Sequence, residues 1–319
     1  MAGEAKQTNA EGLPLAPGLY LVATPIGNLG DITLRALDVL RRVDRIAGED
    51  TRQTQKLLNH FQISTSTVSC HEHNERACAA SLVEALKAGA RIALVTDAGT
   101  PAISDPGGLV VGEAIAAGVA VVPVPGANAA VSALVASGLA AGEFRFLGFL
   151  PEKAGARLTR LEELAADVSR CGGEKAETLI FYEAPHRILA TLADVEAVWG
   201  PELRVVVARE LTKVHEEFLR GTAAEVRQGL AERDRVRGEM VLLVETPART
   251  ESRGAGEGSV GVQDGITIAE RVNISERLAR VQAASGLDEK EALKRLAREM
   301  GRSKSEVYRE LQRERARRR

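Results

Sequence analysis

Short apolar runs alternate with amphipathic stretches over the first 125 positions of the chain. Gly18 to Thr24 (GLYLVAT) reads as a strand that stops at Pro25. A polar loop, IGNLGD, follows, and Asp31 is placed to cap a helix on which Leu34, Leu37 and Leu40 recur on one face. Further strands are predicted at Arg45 to Ala47, Thr67 to Cys70, Ile92 to Thr96 and Val119 to Val124. Helices are predicted around Leu82, Val83 and Leu86 and from Gly108 to Ala117. Strands separated by helices at this spacing predict a mainly parallel sheet covered on both faces.

The pattern changes after Pro125. Strands are predicted at Phe144 to Phe149, Thr178 to Tyr182, Leu203 to Ala208, Glu216 to Arg220 and Met240 to Val244. Helices are predicted near Arg157 to Asp167, His186 to Val198 and Ala223 to Glu232. The close spacing of strands after Leu203 points to hairpins and hence to a mixed sheet. Between Thr246 and Gly265 apolar periodicity is lost among Gly, Ser and Thr, which marks a linker. Helical patterns return at Ile268 to Ala284 and at Asp288 to Met300, where Ala292, Leu293, Leu296 and Met300 share a face. Gly301 breaks the pattern, and Ser303 can cap a further helix carrying Val307, Tyr308 and Leu311. Helix, Gly-containing turn and helix form a helix-turn-helix-like arrangement. The fold class expected is α/β: a doubly wound parallel sheet, then a mixed sheet, then a small helical module. The boundaries read as a flexible tail over 1–17, α/β domains over 18–125 and 126–247, a linker over 248–266 and a basic helical module over 267–319.

Charge alters this picture at one end. The 319 residues hold 42 Lys and Arg against 44 Asp and Glu, a formal net charge of -2, so no global positive field marks a nucleic-acid binder. Leu287 to Arg319 nevertheless carries 12 basic and 7 acidic residues, net +5, which leaves 30 against 37, net -7, for the rest. Aromatics are only 3%, which disfavours an RNA surface built on stacked rings. The longest apolar stretch, Val119 to Ala141, is interrupted by Pro123, Pro125, Gly126, Asn128, Ser132 and Gly138 and is no membrane span. No signal-peptide pattern opens the chain, and a cytoplasmic protein is expected. Cys70, Cys78 and Cys171 form no CxxC, consistent with a reducing compartment. Cys70-His71-Glu72-His73 with Cys78 invites a metal-site reading, but adjacent strand residues point to opposite faces, and no metal is expected.

Ligands of doubly wound sheets bind beyond the carboxyl ends of the strands. Three Gly- and Pro-rich loops lie there: Ala23 to Asp31, Thr96 to Gly108 and Pro123 to Ala129. Such loops let backbone groups approach a ligand closely. Neither of the latter two contains a dinucleotide fingerprint or a P-loop.

Six segments, TPIGNLGDITLRA, GEDTRQTQKLL, TDAGTPAISDPG, FLGFLP, FYEAPHR and ARELTKVHEEFLRG, in this order, resemble the tetrapyrrole methylase superfamily, in its branch acting on ribosomal RNA. The resemblance runs from about Leu19 to Glu245, and EKEALKRLAREMGRSKSEVYRE is similar to the branch's helical extension. One departure stands out: Pro125-Gly126-Ala127-Asn128-Ala129 occupies the place of a usual Pro-Gly-Pro-Ser-Ala, and Asn128 can still donate and accept hydrogen bonds.

The resemblance implies S-adenosylmethionine as methyl donor, a cytidine ribose 2'-hydroxyl of 16S rRNA in the small ribosomal subunit as acceptor, and a homodimer. It implies a cofactor cleft lined by Pro25, Asp97, Ala98, Gly99, Thr100, Pro101, Ile103, Asn128, Ala129, Leu150, Tyr182, Leu211 and Met240. Methyl transfer requires the acceptor oxygen in line with the methyl carbon at about 3 to 3.5 Å, and a proton must leave. Glu183 and His186, faced by Glu49, Asp50 and Arg52, are the catalytic candidates, although Glu183 could equally pair with Arg187. Lys153 and Arg157 in the run Pro151 to Arg157, with Arg187 and Lys213, are candidates for RNA phosphate. Within the superfamily the rival is a corrinoid or siroheme precursor as acceptor; outside it, a non-catalytic RNA-binding protein on the same scaffold.

Overall fold

The structure, a computed structural model, describes residues 15–71, 73–171, 176–247, 289–299, 307–308 and 311. The chain divides into two compact units, Met1–Ser252 and Arg253–Arg319. In the first unit the order is β1 (Gly18–Val22), α1 (Leu34–Arg42), β2 (Arg45–Gly48), α2 (Thr51–His60), β3 (Thr67–Ser69), α3 (Glu75–Lys87), β4 (Arg91–Leu94), α4 (Gly108–Ala116) and β5 (Val121–Val124). It continues with α5 (Ala129–Ser137), β6 (Phe144–Phe149), α6 (Ala154–Cys171), β7 (Thr178–Glu183), α7 (Ile188–Trp199), β8 (Arg204–Arg209), β9 (Glu217–Thr222), α8 (Ala223–Ala231) and β10 (Met240–Glu245).

The first sheet has strand order β3-β2-β4-β1-β5 and every pairing in it is parallel. Its strands are short apolar runs because both faces are covered. Tyr20, Val22, Ile46, Ala93 and Val95 pack under α1 and α2 with Val39, Leu40 and Leu58. The alternate residues Leu19, Ala47, Ile92 and Leu94 pack under α3 and α4 with Leu82, Leu86, Val110 and Ala114. The second sheet, β6-β7-β10-β8-β9, is mixed: β6 runs parallel to β7, and the other neighbours are antiparallel. Leu179, Phe181, Val205, Val207, Leu242 and Val244 face α6, α7 and α8, whereas Ile180, Val206, Val241 and Leu243 face α5. Ile26, from the loop after β1, is buried in that second cluster and so joins the two halves.

Two expectations about the first helix are corrected. Asp31 lies in a 3-10 turn over Leu29–Asp31, and Thr33 caps α1 by accepting from the Ala36 N–H at 3.0 Å. Leu34 is 86% exposed; the buried stripe is Ala36, Val39 and Leu40. A helix starts two residues later than expected, and its inward face rotates accordingly. The sequence reading also passed over α2, whose few buried residues, Thr54 and Leu58, make a faint stripe.

In the second unit, α9 (Glu289–Glu299) buries Ala292 and Leu293, and Val307 and Leu311 are buried helical residues. Residues 1–14 of the tail expected over 1–17, Glu72, the linker expected over 248–266, the helix expected at 268–284, the Ser303 cap and the final Arg-rich run lie outside the described residues.

Candidate functional site

Strands β4, β1 and β5 are neighbours and parallel, so the three loops that leave their carboxyl ends converge. Thr24 and Gly99 exchange two backbone hydrogen bonds, at 2.9 and 3.0 Å, tying the first loop to the second. Thr100 Oγ1 donates to the Ala127 carbonyl at 3.2 Å, tying the second to the third. Asn128 caps α5, its Oδ1 accepting from the Val131 N–H at 3.1 Å, so the departure at this position keeps a side-chain cap. Within the second loop Ala102 (φ 64) and Ser104 (φ 60) are left-handed, a conformation costing about 1–3 kcal/mol each, and strain of this kind collects at ligand sites.

These loops form one wall of a cavity of about 330 Å³, whose opposite wall comes from the second sheet. Nine of the expected cofactor residues line it: Ala98, Gly99, Thr100, Ile103, Asn128, Ala129, Tyr182, Leu211 and Met240. Pro25 and Asp97 instead line an adjoining cavity of about 610 Å³, together with Gln53, Lys56 and Leu57 of α2. Pro101 and Leu150 are buried and line neither. The sequence reading missed Ile26, Ser104, Asp105, Phe149 and Glu239 on the cavity wall. Ser104 and Asp105 directly follow the expected Ile103, and Glu239 directly precedes the expected Met240, so neighbourhood in the chain was the available signal.

The second-loop end of the site is acidic. Burial, then Asp105 and Asp97, push the Glu49 carboxyl above the ordinary carboxylate range, and burial does the same for Asp105. Glu49 Oε2 accepts from Thr96 Oγ1 at 3.4 Å. Asp97 Oδ1 accepts from the Asp50 N–H at 3.1 Å. Asp50 in turn caps α2 and is gripped by the Arg52 guanidinium at 2.9 and 3.1 Å, which lowers its pKa. The Arg52 side chain is 87% exposed.

The remaining catalytic candidates separate. Glu183 is 2% exposed and both its carboxylate oxygens accept: Thr191 Oγ1 donates at 2.6 Å and the Ala184 N–H at 2.8 Å, while Arg187 Nε lies 3.1 Å away as an ion pair without making a hydrogen bond. The Glu183–Arg187 pair is therefore present, across the β7–α7 turn. His186 is exposed and lines neither cavity. Among the phosphate candidates, Lys153 is exposed at the start of α6. Arg157 is corrected: it is 4% exposed and bound inward to Asp194 Oδ2 at 2.7 Å, because the run expected to be a flexible loop is already helical from Ala154. Arg187 donates to the Leu150 and Pro151 carbonyls and is likewise turned inward. Lys213 lines the larger cavity and pairs with Glu210 at 2.8 Å and Glu239 at 3.0 Å. Burial works against its ammonium, yet the two carboxylates prevail and its pKa is raised.

At the edge of the acidic end, Cys70 packs into the first-sheet core, while the His71 N–H donates to Asn74 Oδ1 at 2.8 Å. Among the described residues no group of three His, Cys, Asp or Glu side chains is placed to hold a metal ion.

Comparison with known proteins matches residues 18–227 to the family described as Tetrapyrrole (Corrin/Porphyrin) Methylases. A relative from Halalkalibacterium halodurans, "Ribosomal RNA small subunit methyltransferase I", is 46% identical over 295 residues, covering 91% of this chain and 93% of that protein. Relatives of the same name from Bacillus subtilis (44% over 290 residues; 91% and 92% covered) and Vibrio cholerae (56% over 230 residues; 72% and 77%) agree. Among solved structures, a conserved hypothetical protein from Aeropyrum pernix K1 (TM-score 0.57, 18% identity, 74% and 86% covered) shares the fold. So does cobalt precorrin-4 methyltransferase (TM-score 0.51, 17% identity, 70% and 93% covered).

Proposed function

The chain belongs to the tetrapyrrole methylase family, and from that premise we propose that it methylates the 2'-hydroxyl of a cytidine in the 16S RNA of the small ribosomal subunit, with S-adenosylmethionine as donor. The observation that carries this reading is the extent of the match: relatives named for small-subunit RNA methylation align over 91% of the chain, helical extension included.

The smaller cavity suits such a donor. Ile26, Ala98, Leu211, Met240 and Val241 offer apolar walls to an adenine ring, Thr100 and Asn128 offer polar groups, and Asp105 offers a carboxyl to a sulfonium. The donor supplies an electrophilic methyl group that needs no metal. The chain's own residues bind and orient: the strained loop at Ala102 to Ser104 presents backbone, and the second sheet closes the opposite side. The larger cavity beside it, with Lys56 and Lys213 on its wall, is the place for the acceptor nucleotide, and Lys153 is the exposed phosphate contact.

The reading places the protein in the cytoplasm, where ribosomal particles are found, and as a homodimer. Val131 and Val135 stand exposed one turn apart on α5, an apolar face that a second copy would cover. No helix among the described residues is long and apolar enough to cross a membrane.

Transfer of tritiated methyl from S-adenosylmethionine into small-subunit particles, followed by nucleotide mapping, tests the proposal. Label at one cytidine ribose is expected. Label on a tetrapyrrole precursor in place of RNA would replace it with the within-family rival.

A further inference from the structure

Three residues line both cavities: Ile26, Ala98 and Glu239. If the donor fills the smaller cavity and the acceptor nucleotide enters the larger, the reacting atoms meet where these three residues stand. Ile26 and Ala98 present hydrocarbon there. Glu239 presents a carboxylate.

The acids nearby are placed otherwise. Asp97 lines only the larger cavity and its Oδ1 is given to the Asp50 N–H. Asp105 and Glu183 line only the smaller one, and each Glu183 carboxylate oxygen already accepts a hydrogen bond, from Ala184 and from Thr191, with the Arg187 guanidinium beside it. Glu239 is held differently. Its Oε2 accepts from Lys213 Nζ at 3.0 Å, which leaves Oε1 for an incoming group, and its side chain is 80% exposed. Its backbone N–H donates to Glu210 Oε1 at 2.9 Å, and the same Glu210 oxygen accepts from Lys213 at 2.8 Å. One lysine and one carboxylate thus fix both the backbone and the side chain of Glu239. Gly238, at φ 95, makes this possible, because a Cβ there would meet Glu210 Cδ at 2.8 Å.

Resting on the ribose-methylation reading above, we infer that Glu239 is the catalytic residue that accepts the proton of the acceptor hydroxyl, with Lys213 as its positioning residue. As the hydroxyl oxygen bonds to the methyl carbon, that carbon's bond to sulfur breaks and sulfur keeps the electron pair. The hydroxyl proton passes to the Glu239 carboxylate, and water takes it when the products leave.

The experiment compares the unaltered protein with Glu239→Gln and Glu239→Asp in single-turnover methyl transfer to small-subunit particles. Calorimetry with S-adenosylhomocysteine and a particle-binding measurement run beside it. Glu239→Gln is expected to slow transfer by about 100-fold or more, with both affinities held within about threefold, and Glu239→Asp to recover part of the rate. Transfer by Glu239→Gln within about threefold of the unaltered rate overturns the assignment. So does a loss of S-adenosylhomocysteine affinity that matches the loss of rate, since that makes Glu239 a donor-binding group. Absence of transfer by the unaltered protein would instead overturn the ribose-methylation reading itself.

Discussion

Lys213 lies so close over Gly27 that a Cβ at position 27 would overlap its Cγ, while the Leu211 carbonyl stands 3.2 Å from the same point. The hairpin turn after β8 is thereby seated on the loop after β1. The Asn28 N–H adds a hydrogen bond to Thr212 Oγ1 at 3.1 Å across the same joint. Glu210 (φ 52) and Thr212 (φ 64) hold this turn in left-handed backbone, so the joint is strained as well as tight. Gly27→Ala must push Lys213 off its two carboxylates or part the two loops. A cost of about 1–3 kcal/mol in urea unfolding is expected, with slower methyl transfer. Unfolding and transfer both unchanged would show that the joint is loose.

Glu183 is an anchor of the β7–α7 turn, and its replacement should register in stability before it registers in chemistry. Arg187→Ala leaves a buried carboxylate without its cation and is expected to cost about 3–5 kcal/mol. Thr191→Val removes the 2.6 Å donor and should cost about 1–3 kcal/mol. Single-turnover transfer by folded Glu183→Gln is expected to stay near the unaltered rate; a drop of two orders of magnitude at unchanged stability would return Glu183 to the chemistry.

The third loop makes a graded prediction. Asn128→Ala removes the α5 cap and should lower stability by about 1 kcal/mol, whereas Asn128→Ser, which keeps a capping oxygen, should cost only a few tenths. Thermal unfolding of the two variants separates the outcomes, and equal losses would mean that the cap contributes little.

Acid should find a weak point in the second sheet. Hydrogen bonds from Arg233, outweighing the cost of burial, and then from Arg209 lower the Glu217 carboxyl from 4.5 to about 2. A depressed folded-state pKa contributes stability that is complete above the unfolded value and is lost as pH falls towards the folded one. Glu217→Gln should therefore be less stable than the unaltered protein near neutrality, with the gap closing between about pH 5 and pH 2. A gap that persists at pH 2 would assign the effect to packing.

The charge separation along the chain carries a further expectation. Removing residues 287–319, net +5, should weaken binding to small-subunit RNA and flatten its salt dependence while leaving S-adenosylhomocysteine affinity unchanged. Loss of S-adenosylhomocysteine affinity on truncation would contradict this division.

Strands such as Thr178–Glu183 and Met240–Glu245 were legible because residues buried on both faces must be apolar whatever covers them. The loops were legible because close backbone approach demands Gly and Pro, and six of the nine cofactor candidates on the cavity wall lie in them, whereas Tyr182, Leu211 and Met240 were reached through the family resemblance alone. Charged side chains were not legible in the same way. Arg157, Arg187 and Glu183 have the composition of a binding surface, yet each is turned inward to a partner on another segment: Asp194, the Leu150 carbonyl and Thr191.

By itself the sequence determined which segments form the two sheets, which loops gather at one end and to which family the chain belongs, since each depends on local pattern or ordered motifs. Tertiary structure decided which charges are free and that Glu239 stands where two cavities meet. A long side chain reaches as far as the next element, and which element lies there depends on strand order, such as β10 entering between β7 and β8.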